Sequence, residues 1–584
     1  MLGSEVNNLQ FADDLAIYCS GDNISDTSKK LNLALKKLHS YFQYLNLEVS
    51  PTKSKIVVFS KKKVSTVKIQ YNNNLIPIHP FAKFLGVIFT HNLSWYKYVD
   101  CIAERALRST NILRSLVGTQ WGADSKILLT LYKALVRSHF DYSFFCYCID
   151  SKLVSKLEKI QNINLRLILG AFKSTPINSM QIECNLCPLN IRFSHLKYNF
   201  ILRLLSETDN LLLSKLLKYN SYHFLCHNIQ QILTFKSEYN IHNSTTLPCY
   251  GGTYGSKFCS LNIEIDRTLT DKYAVYNRLD EYRDFKQIYT DGSKCIDNVS
   301  MAYYVPDYKL GHGLRLPSNA SIYTAEAQGI YAALEYIEAT NLNFKKWLII
   351  SDSMSVLMAL SNPSYSSGTN YIIYNIRQIY SRLWLNQDRE IRFIWTPSHI
   401  DVSGNDLADK LASSIVKNPN IQQIPIKNIK LPGSDCKVLI KTIIKDQWMT
   451  HWHETIQSKG KWYSSINSDI TQPWFIKGKF INRNFYSTIC RLRLGHGRFN
   501  EHLFRLKMIP SPNCTYCNND IIQSLDHIFF DCSAFNLQRI ILIDNLLDLY
   551  KEALDVPRSI QDLLKNTDTF YPIYDFIKNT IGVI

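Results

Sequence analysis

The sequence predicts an α/β fold, with a sheet and flanking helices organised between Phe285 and Lys410. Three observations carry the prediction. Two β-prone runs, Phe285–Tyr289 and the fully apolar Trp347–Ile350, each deliver an aspartate at their C-terminal edge, Asp291 and Asp352. Helical patterns follow, each with an acid near its start: Thr324 reads as an N-cap ahead of Glu326, with Ile330, Leu334 and Ile337 as the apolar stripe. Ser403 and Asp406 then open a last helix as a capping-box-like pair, with Asp409 one turn further in.

Four carboxylates on two strand ends and two helix starts can converge on one point. Such a cluster repels itself strongly unless cations compensate it. All-oxygen ligands select hard ions, Mg²⁺ or Mn²⁺, rather than zinc. Two such ions roughly 3.5–4 Å apart suit in-line attack on a phosphodiester. Taken singly, each acid also reads as a solvated surface charge or a helix cap; the ordered set of four points to metal.

The pieces Gln287–Lys294 (QIYTDGSK), Tyr323–Ala327 (YTAEA), Ile349–Ser353 (IISDS), Trp395–His399 (WTPSH) and Gly404–Asp409 (GNDLAD) resemble the type 1 ribonuclease H domain, placed here at 281–417. The resemblance implies a mixed five-stranded sheet flanked by helices. It implies Asp291, Glu326, Asp352 and Asp409 as ligands of two Mg²⁺ ions (or Mn²⁺). It also implies His399 as an aid to proton transfer or product release, and Ser293 and Asn405 as contacts to the nucleic-acid backbone or supports of the site. Asp406 departs from the more usual Glu, a conservative change. The implied reaction is endonucleolytic hydrolysis of the RNA strand of an RNA–DNA hybrid, chosen by 2′-hydroxyl contacts and hybrid shape.

At 584 residues the chain is too long for one core, and 46% hydrophobic content is that of a globular protein. A net charge of +17 calls for an anionic partner, nucleic acid before a membrane surface. Thirty-five Tyr and 28 Phe interleave with Lys and Arg, which suits base stacking as well as an ordinary core. No apolar run reaches the roughly 18 residues of a membrane span. Glu5, Asp13 and Asp14 stand where a signal peptide would be basic and apolar. Fifteen scattered cysteines read as thiols in a reducing compartment. An intracellular protein is expected, with no membrane association.

Leu9–Tyr18 reads as a hairpin with an Ala-Asp-Asp turn, followed by an amphipathic helix over Thr27–Leu47. Pro51–Lys55 leads into a strand Ile56–Phe59, then come Phe84–Ile88 and Leu93-Ser94-Trp95. This series resembles the second half of the reverse-transcriptase palm of non-LTR, LINE-like retrotransposons. Asp13 and Asp14 match the paired catalytic aspartates and Lys53 the lysine of the next motif. A polymerase needs a further metal-binding Asp from an earlier strand, and none of the twelve residues before Asp13 is an Asp, so polymerisation by this chain is not expected. Residues 96–204 read as helices, among them Ile127–His139 and Lys152–Ala171, which the resemblance makes thumb and connection. Leu131–Val136 and Thr175-Pro176-Ile177 are the recognisable pieces, and a plain helical bundle explains them as well. Cys184 and Cys187 have metal-like spacing without a second pair and read as structural cysteines. Residues 205–280 read as a connector.

Asn418–Gly433, with three prolines, reads as a linker into a mostly helical tail, 418–584. Within it Cys514-x₂-Cys517-x₉-His527-x₄-Cys532 supplies four ligands suited to tetrahedral Zn²⁺, with Pro512, Asn513 and Asn518–Asp520 as turn formers. It is similar to the finger downstream of LINE-type polymerases, which implies RNA or target-DNA handling. Arg491–Arg498 reads as a solvated basic turn. The expectation is a retrotransposon-derived polyprotein fragment: a palm remnant (1–95), helical thumb and connection, connector, intact RNase H, and zinc-knuckle tail. RNA, DNA and full-length retrotransposon proteins are its expected partners, in nuclear or cytoplasmic ribonucleoprotein. The rival readings are a catalytically idle nucleic-acid-binding relic and, less favoured, a working reverse transcriptase.

Overall fold

The computed structural model describes residues 5–206, 212, 214 and 260–582, except 61–66, 119–120, 147–149, 341–343, 363–369, 419, 421–424, 428, 478–481, 518–519 and 551–556. Most of the expected connector, and Asn518 and Asn519 of the knuckle turn, therefore lie outside the described residues. The chain forms two compact units, one of Met1–Ser194 with Asp446–Ile584 and one of His195–Lys445. No described helix is long and apolar enough to cross a membrane.

The second unit is built on a six-stranded mixed sheet. Numbered within this unit, its strands are β1 (Asn262–Glu264), β2 (Lys286–Lys294), β3 (Val299–Val305), β4 (Leu310–Leu316), β5 (Lys346–Ser351) and β6 (Glu390–Trp395). Their spatial order is β4-β3-β2-β5-β6-β1. The β2–β3 and β3–β4 pairs are antiparallel, while β2–β5, β5–β6 and β6–β1 are parallel. Helices α1 (Lys272–Asp280), α2 (Ile322–Ala339), α3 (Met354–Ser361), α4 (Tyr371–Gln387) and α5 (Ser403–Lys417) complete it. Trp347–Ile350 on β5 are wholly buried, as a continuous apolar run in a sheet covered on both faces should be.

Several boundaries differ from the sequence reading, each for a local reason. β2 runs on to Lys294 because residues 289–294 pair with β3, so Asp291 lies inside the strand rather than past its end. Ser321, not Thr324, caps α2, its hydroxyl accepting the Thr324 N–H at 3.1 Å. Val402 occupies the N-cap of α5 and no side chain caps it; Ser403 is held instead by the Tyr276 hydroxyl, which accepts the Ser403 N–H at 3.0 Å. The expected five strands gain a sixth, β1, from upstream. Leu269, Val275, Leu279 and Tyr282 of the same stretch pack on Tyr289, Leu348, Ile350, Ile394 and Ala408. Part of the expected linker also docks: Ile426 bridges to Arg315 on β4, and the Lys427 N–H donates to the Arg315 carbonyl at 2.8 Å. An edge strand offers unpaired backbone groups, and this segment takes some of them.

The first unit opens with the expected hairpin, Asn7–Phe11 paired with Asp14–Tyr18, and the helix Ile24–Tyr44. Ile56–Phe59 does not form a strand; Ile56 makes a single bridge to Ile78. Phe81–Phe84 and Val87–Thr90 form a further hairpin through Leu85-Gly86, both with positive φ. The helix expected at Ile127–His139 is interrupted by a π-helical stretch, Tyr132–Arg137.

Arg491–Arg498 is not a solvated turn. Most of it is buried, because the helix Arg483–Arg493 spends its cations on the protein. Arg493 donates to both oxygens of Glu183, at 2.8 and 3.1 Å. The Tyr463 hydroxyl and Trp474 indole N–H donate to the same carboxylate at 2.6 and 2.7 Å. Arg483 and Arg491 donate to the carbonyls of Ile168 and Gly170, both at 2.7 Å, at the end of the helix Ser151–Leu169, where positive charge is favoured. Gly170 itself sits at φ +64°, and a Cβ there would lie 2.6 Å from that of Ser487. These contacts fold the tail onto the 151–183 helices.

Candidate functional site

Strand register creates the site. Thr290 on β2 lies opposite Ser351 on the parallel β5, so Asp291 and Asp352 follow side by side at one edge of the sheet. The first turns of α2 cross that edge and bring in Glu326. Carboxylate oxygens of Asp291, Glu326 and Asp352 lie within 4.8 Å of one another. Gly292 makes the approach possible: a Cβ there would stand 2.6 Å from the Glu326 nitrogen and 2.8 Å from the Ala325 carbonyl carbon. Its N–H also serves the Asp291 and Glu326 carboxylates.

Electrostatically the cluster is unbalanced. Burial first, then Asp352 and Asp409, push the Asp291 carboxyl from 3.8 up to about 7. Burial, then Asp291 and Asp352, push Glu326 well above its ordinary range. Burial raises Asp352 too, against the Asn405 amide and the nearby His399. Glu326 Oε2 and Asn405 Oδ1 have no hydrogen-bond partner among the described residues. Three acids short of compensation, with an orphaned oxygen between them, fit the ligand set of a hard divalent cation.

Asp409, the fourth predicted acid, is close enough to raise its neighbours but stands outside the tight group, with one oxygen accepting from Ser413 at 3.1 Å. His399 is exposed, with φ +57°, on the loop after β6. Asn405 is buried and its amide approaches Asp352 Oδ2 at 3.4 Å. Ser293 is two residues past Asp291 on the same strand face and is partly exposed. The sequence reading missed Asp435. Its carboxylate accepts the Ser321 N–H at 2.9 Å and hydroxyl at 2.8 Å, pinning the start of the helix that carries Glu326. An acid 114 positions along the chain from its partner leaves no local signal.

The second predicted constellation also assembles. Cys514, Cys517, His527 and Cys532 place four ligand atoms within 4.8 Å. The Cys514 and Cys532 sulfurs are 3.9 Å apart, and Cys517 Sγ lies 3.5 Å from His527 Nε2. Burial raises the Cys514 thiol, but the Tyr516 and Cys517 N–H groups and His527 outweigh it and bring it down to about 6. That is a thiol prepared to be a thiolate, as a zinc ligand must be. By contrast Cys184 and Cys187 belong to no metal-capable group among the described residues, and burial raises both thiols, Cys187 to about 12. Asp13 and Asp14 are exposed at the first hairpin turn and Lys53 is exposed, and none joins such a group.

A mixed sheet with carboxylates gathered from two adjacent central strands and a crossing helix defines a class. Residues 284–417 match the RNase H family model, and this stretch is an RNase H domain. The chain that carries it is similar to a retrotransposon Pol polyprotein. Over 210 residues it is 24% identical to the "Retrovirus-related Pol polyprotein from type-1 retrotransposable element R1 4" of Nasonia vitripennis, covering 32% of this chain and 54% of the relative. Over 143 residues it is 27% identical to human "Ribonuclease H1", covering 22% of this chain and 49% of the relative. The chain spans about half the length of the curated relatives it matches.

Proposed function

We propose that this chain hydrolyses the RNA strand of RNA–DNA hybrids at the Asp291–Glu326–Asp352 cluster. The supporting observation is the convergence of three carboxylates whose charges the protein leaves uncompensated. Asp291, Glu326 and Asp352 would hold Mg²⁺ or Mn²⁺, with Asp409 completing the acidic surround. When bound, such ions supply a Lewis acid for the phosphodiester and lower the pKa of attacking water. Asn405 orients Asp352. His399, on left-handed backbone in the loop after β6, would assist proton transfer or product release. Ser293, partly exposed past Asp291, is assigned to the nucleic-acid backbone. Cys514, Cys517, His527 and Cys532 would hold a structural zinc ion.

The test is incubation of the full chain with end-labelled RNA–DNA hybrid, with and without Mg²⁺, beside double-stranded RNA and an Asp352→Asn variant. Mg²⁺-dependent cutting of the hybrid's RNA strand, lost in the variant while hybrid binding persists, is the expected result. Salt-sensitive binding without cutting by the unaltered chain would replace this reading with a binding role alone.

A further inference from the structure

We propose that a cleft in the first unit, walled by the helix Ser151–Leu169, the Lys173–Pro176 turn and residues 451–459, binds the backbone of single-stranded nucleic acid. The inference is independent of the hydrolytic reading, since none of the cleft's residues belongs to the acidic cluster. The cleft has a volume of about 710 Å³, within the range of ligand-holding sites. Arg166, Lys173, Lys459 and His451 line it.

Its charge is not cancelled locally. Glu158 is the one acid among the lining residues. Its carboxylate is already engaged by the Leu189 N–H at 2.7 Å and by the Gln161 and Gln181 amides at 3.1 Å each, and burial raises its pKa. Arg166 donates to the Asn162 and Lys173 carbonyls at 3.1 and 3.4 Å. Its Nε has no partner among the described residues, and burial alone depresses its pKa. A half-buried cation held only by carbonyls is stabilised by an incoming anion.

Two further wall atoms refine the ligand. Thr175 is 3% exposed and its Oγ1 has no hydrogen-bond partner among the described residues, nor has Asn162 Oδ1. Arg166 Nε and Thr175 Oγ1 are donors in the wall without a partner among the described residues, and phosphate oxygens are acceptors of the kind they lack. Asn162 Oδ1 is an acceptor, and a phosphate ion has little to give it, whereas a base amino group or ribose hydroxyl does. The cleft is also far larger than one phosphate. A duplex presents its phosphates around a broad cylinder, while a single strand is flexible enough to enter a groove that tracks its backbone.

The test uses the full chain and a short fluorescent oligouridylate carrying a photoreactive base. Lys173 and Lys459 are exposed, so the double reversal Lys173→Glu, Lys459→Glu is expected to leave the melting temperature unchanged. It is expected to weaken binding by about tenfold or more at low salt. It should also lower the slope of log affinity against log salt by about 1.4, at about 0.7 per phosphate contact for a single strand. Thr175→Val, which keeps the shape and removes the hydroxyl, should weaken binding a few-fold. Crosslinks should map to peptides spanning 151–178 and 446–459. Uridine monophosphate should compete better than inorganic phosphate at matched ionic strength. Unchanged affinity and salt slope in the double variant, or crosslinks only elsewhere, would overturn the proposal. Equal competition by inorganic phosphate would overturn the strand assignment and leave a simple anion site.

Discussion

Asp291→Asn should make the metal-free protein more stable while abolishing hydrolysis. Asp291 is 6% exposed, and its carboxyl is raised from 3.8 to about 7 by burial and by Asp352 and Asp409. A carboxyl whose folded pKa is raised contributes stability that is present below its unfolded pKa and is lost as pH rises through the folded one. At about 1.4 kcal/mol per pH unit, the rise corresponds to about 4 kcal/mol as an upper figure for keeping this group ionised without a cation. The loss therefore falls between pH 4 and about 7 and is complete by pH 8. Asparagine keeps the shape and carries no charge. In EDTA at pH 8 the variant should melt above the unaltered chain; at pH 5 the gap should shrink. Adding Mg²⁺ at pH 8 should raise the melting temperature of the unaltered chain more than that of the variant. Thermal unfolding followed by fluorescence at these pH values, with and without Mg²⁺, checks it. A variant that is equally destabilised at both pH values, and indifferent to Mg²⁺ in the same way as the parent, would refute the reasoning that a buried, uncompensated charge at this point is the dominant strain.

Asp435→Ala removes the acceptor of two hydrogen bonds from Ser321 at the start of α2; at about 1 kcal/mol net for each, a loss of about 2 kcal/mol is expected in urea unfolding. Because Glu326 lies just over one turn further on, the same variant should need more Mg²⁺ for half-maximal cleavage, with Asp435→Asn between it and the parent. Glu183→Leu strands a buried guanidinium and should cost about 3–5 kcal/mol, whereas pairing it with Arg493→Met should recover only part of that, because the Tyr463 hydroxyl and Trp474 indole still lack their acceptor, read by the same unfolding titration. Zinc measured after dialysis should stay bound at neutral pH and be released on acidification as protons displace it from the cysteines and His527, and Cys532→Ser should retain none.

Sequence alone determined the α/β class of the nuclease domain, three of the four converging acids and the four zinc-type ligands. Those features are local: strand and helix periods are written in successive residues, and a Cys-x₂-Cys knuckle folds on itself. The fourth acid, Asp409, was legible as a helix position, but how tightly it joins the others depends on where α5 lands. Tertiary structure decided what depends on distant partners. Thr324 and Ser403 had the right chemistry for caps, yet Ser321 and the Tyr276 hydroxyl claimed those roles. Gln287–Lys294 continues as strand because β3 pairs with it, and the upstream stretch 260–280 became part of the core because β6 left an edge open. Arg491–Arg498 looked like a solvated turn because nothing in its neighbourhood neutralises it. The carboxylate and helix end that bury its arginines come from Glu183 and Gly170, more than 300 positions earlier. A charge reads as exposed in sequence unless its partner is nearby, and only the folded chain supplies a partner from that far away.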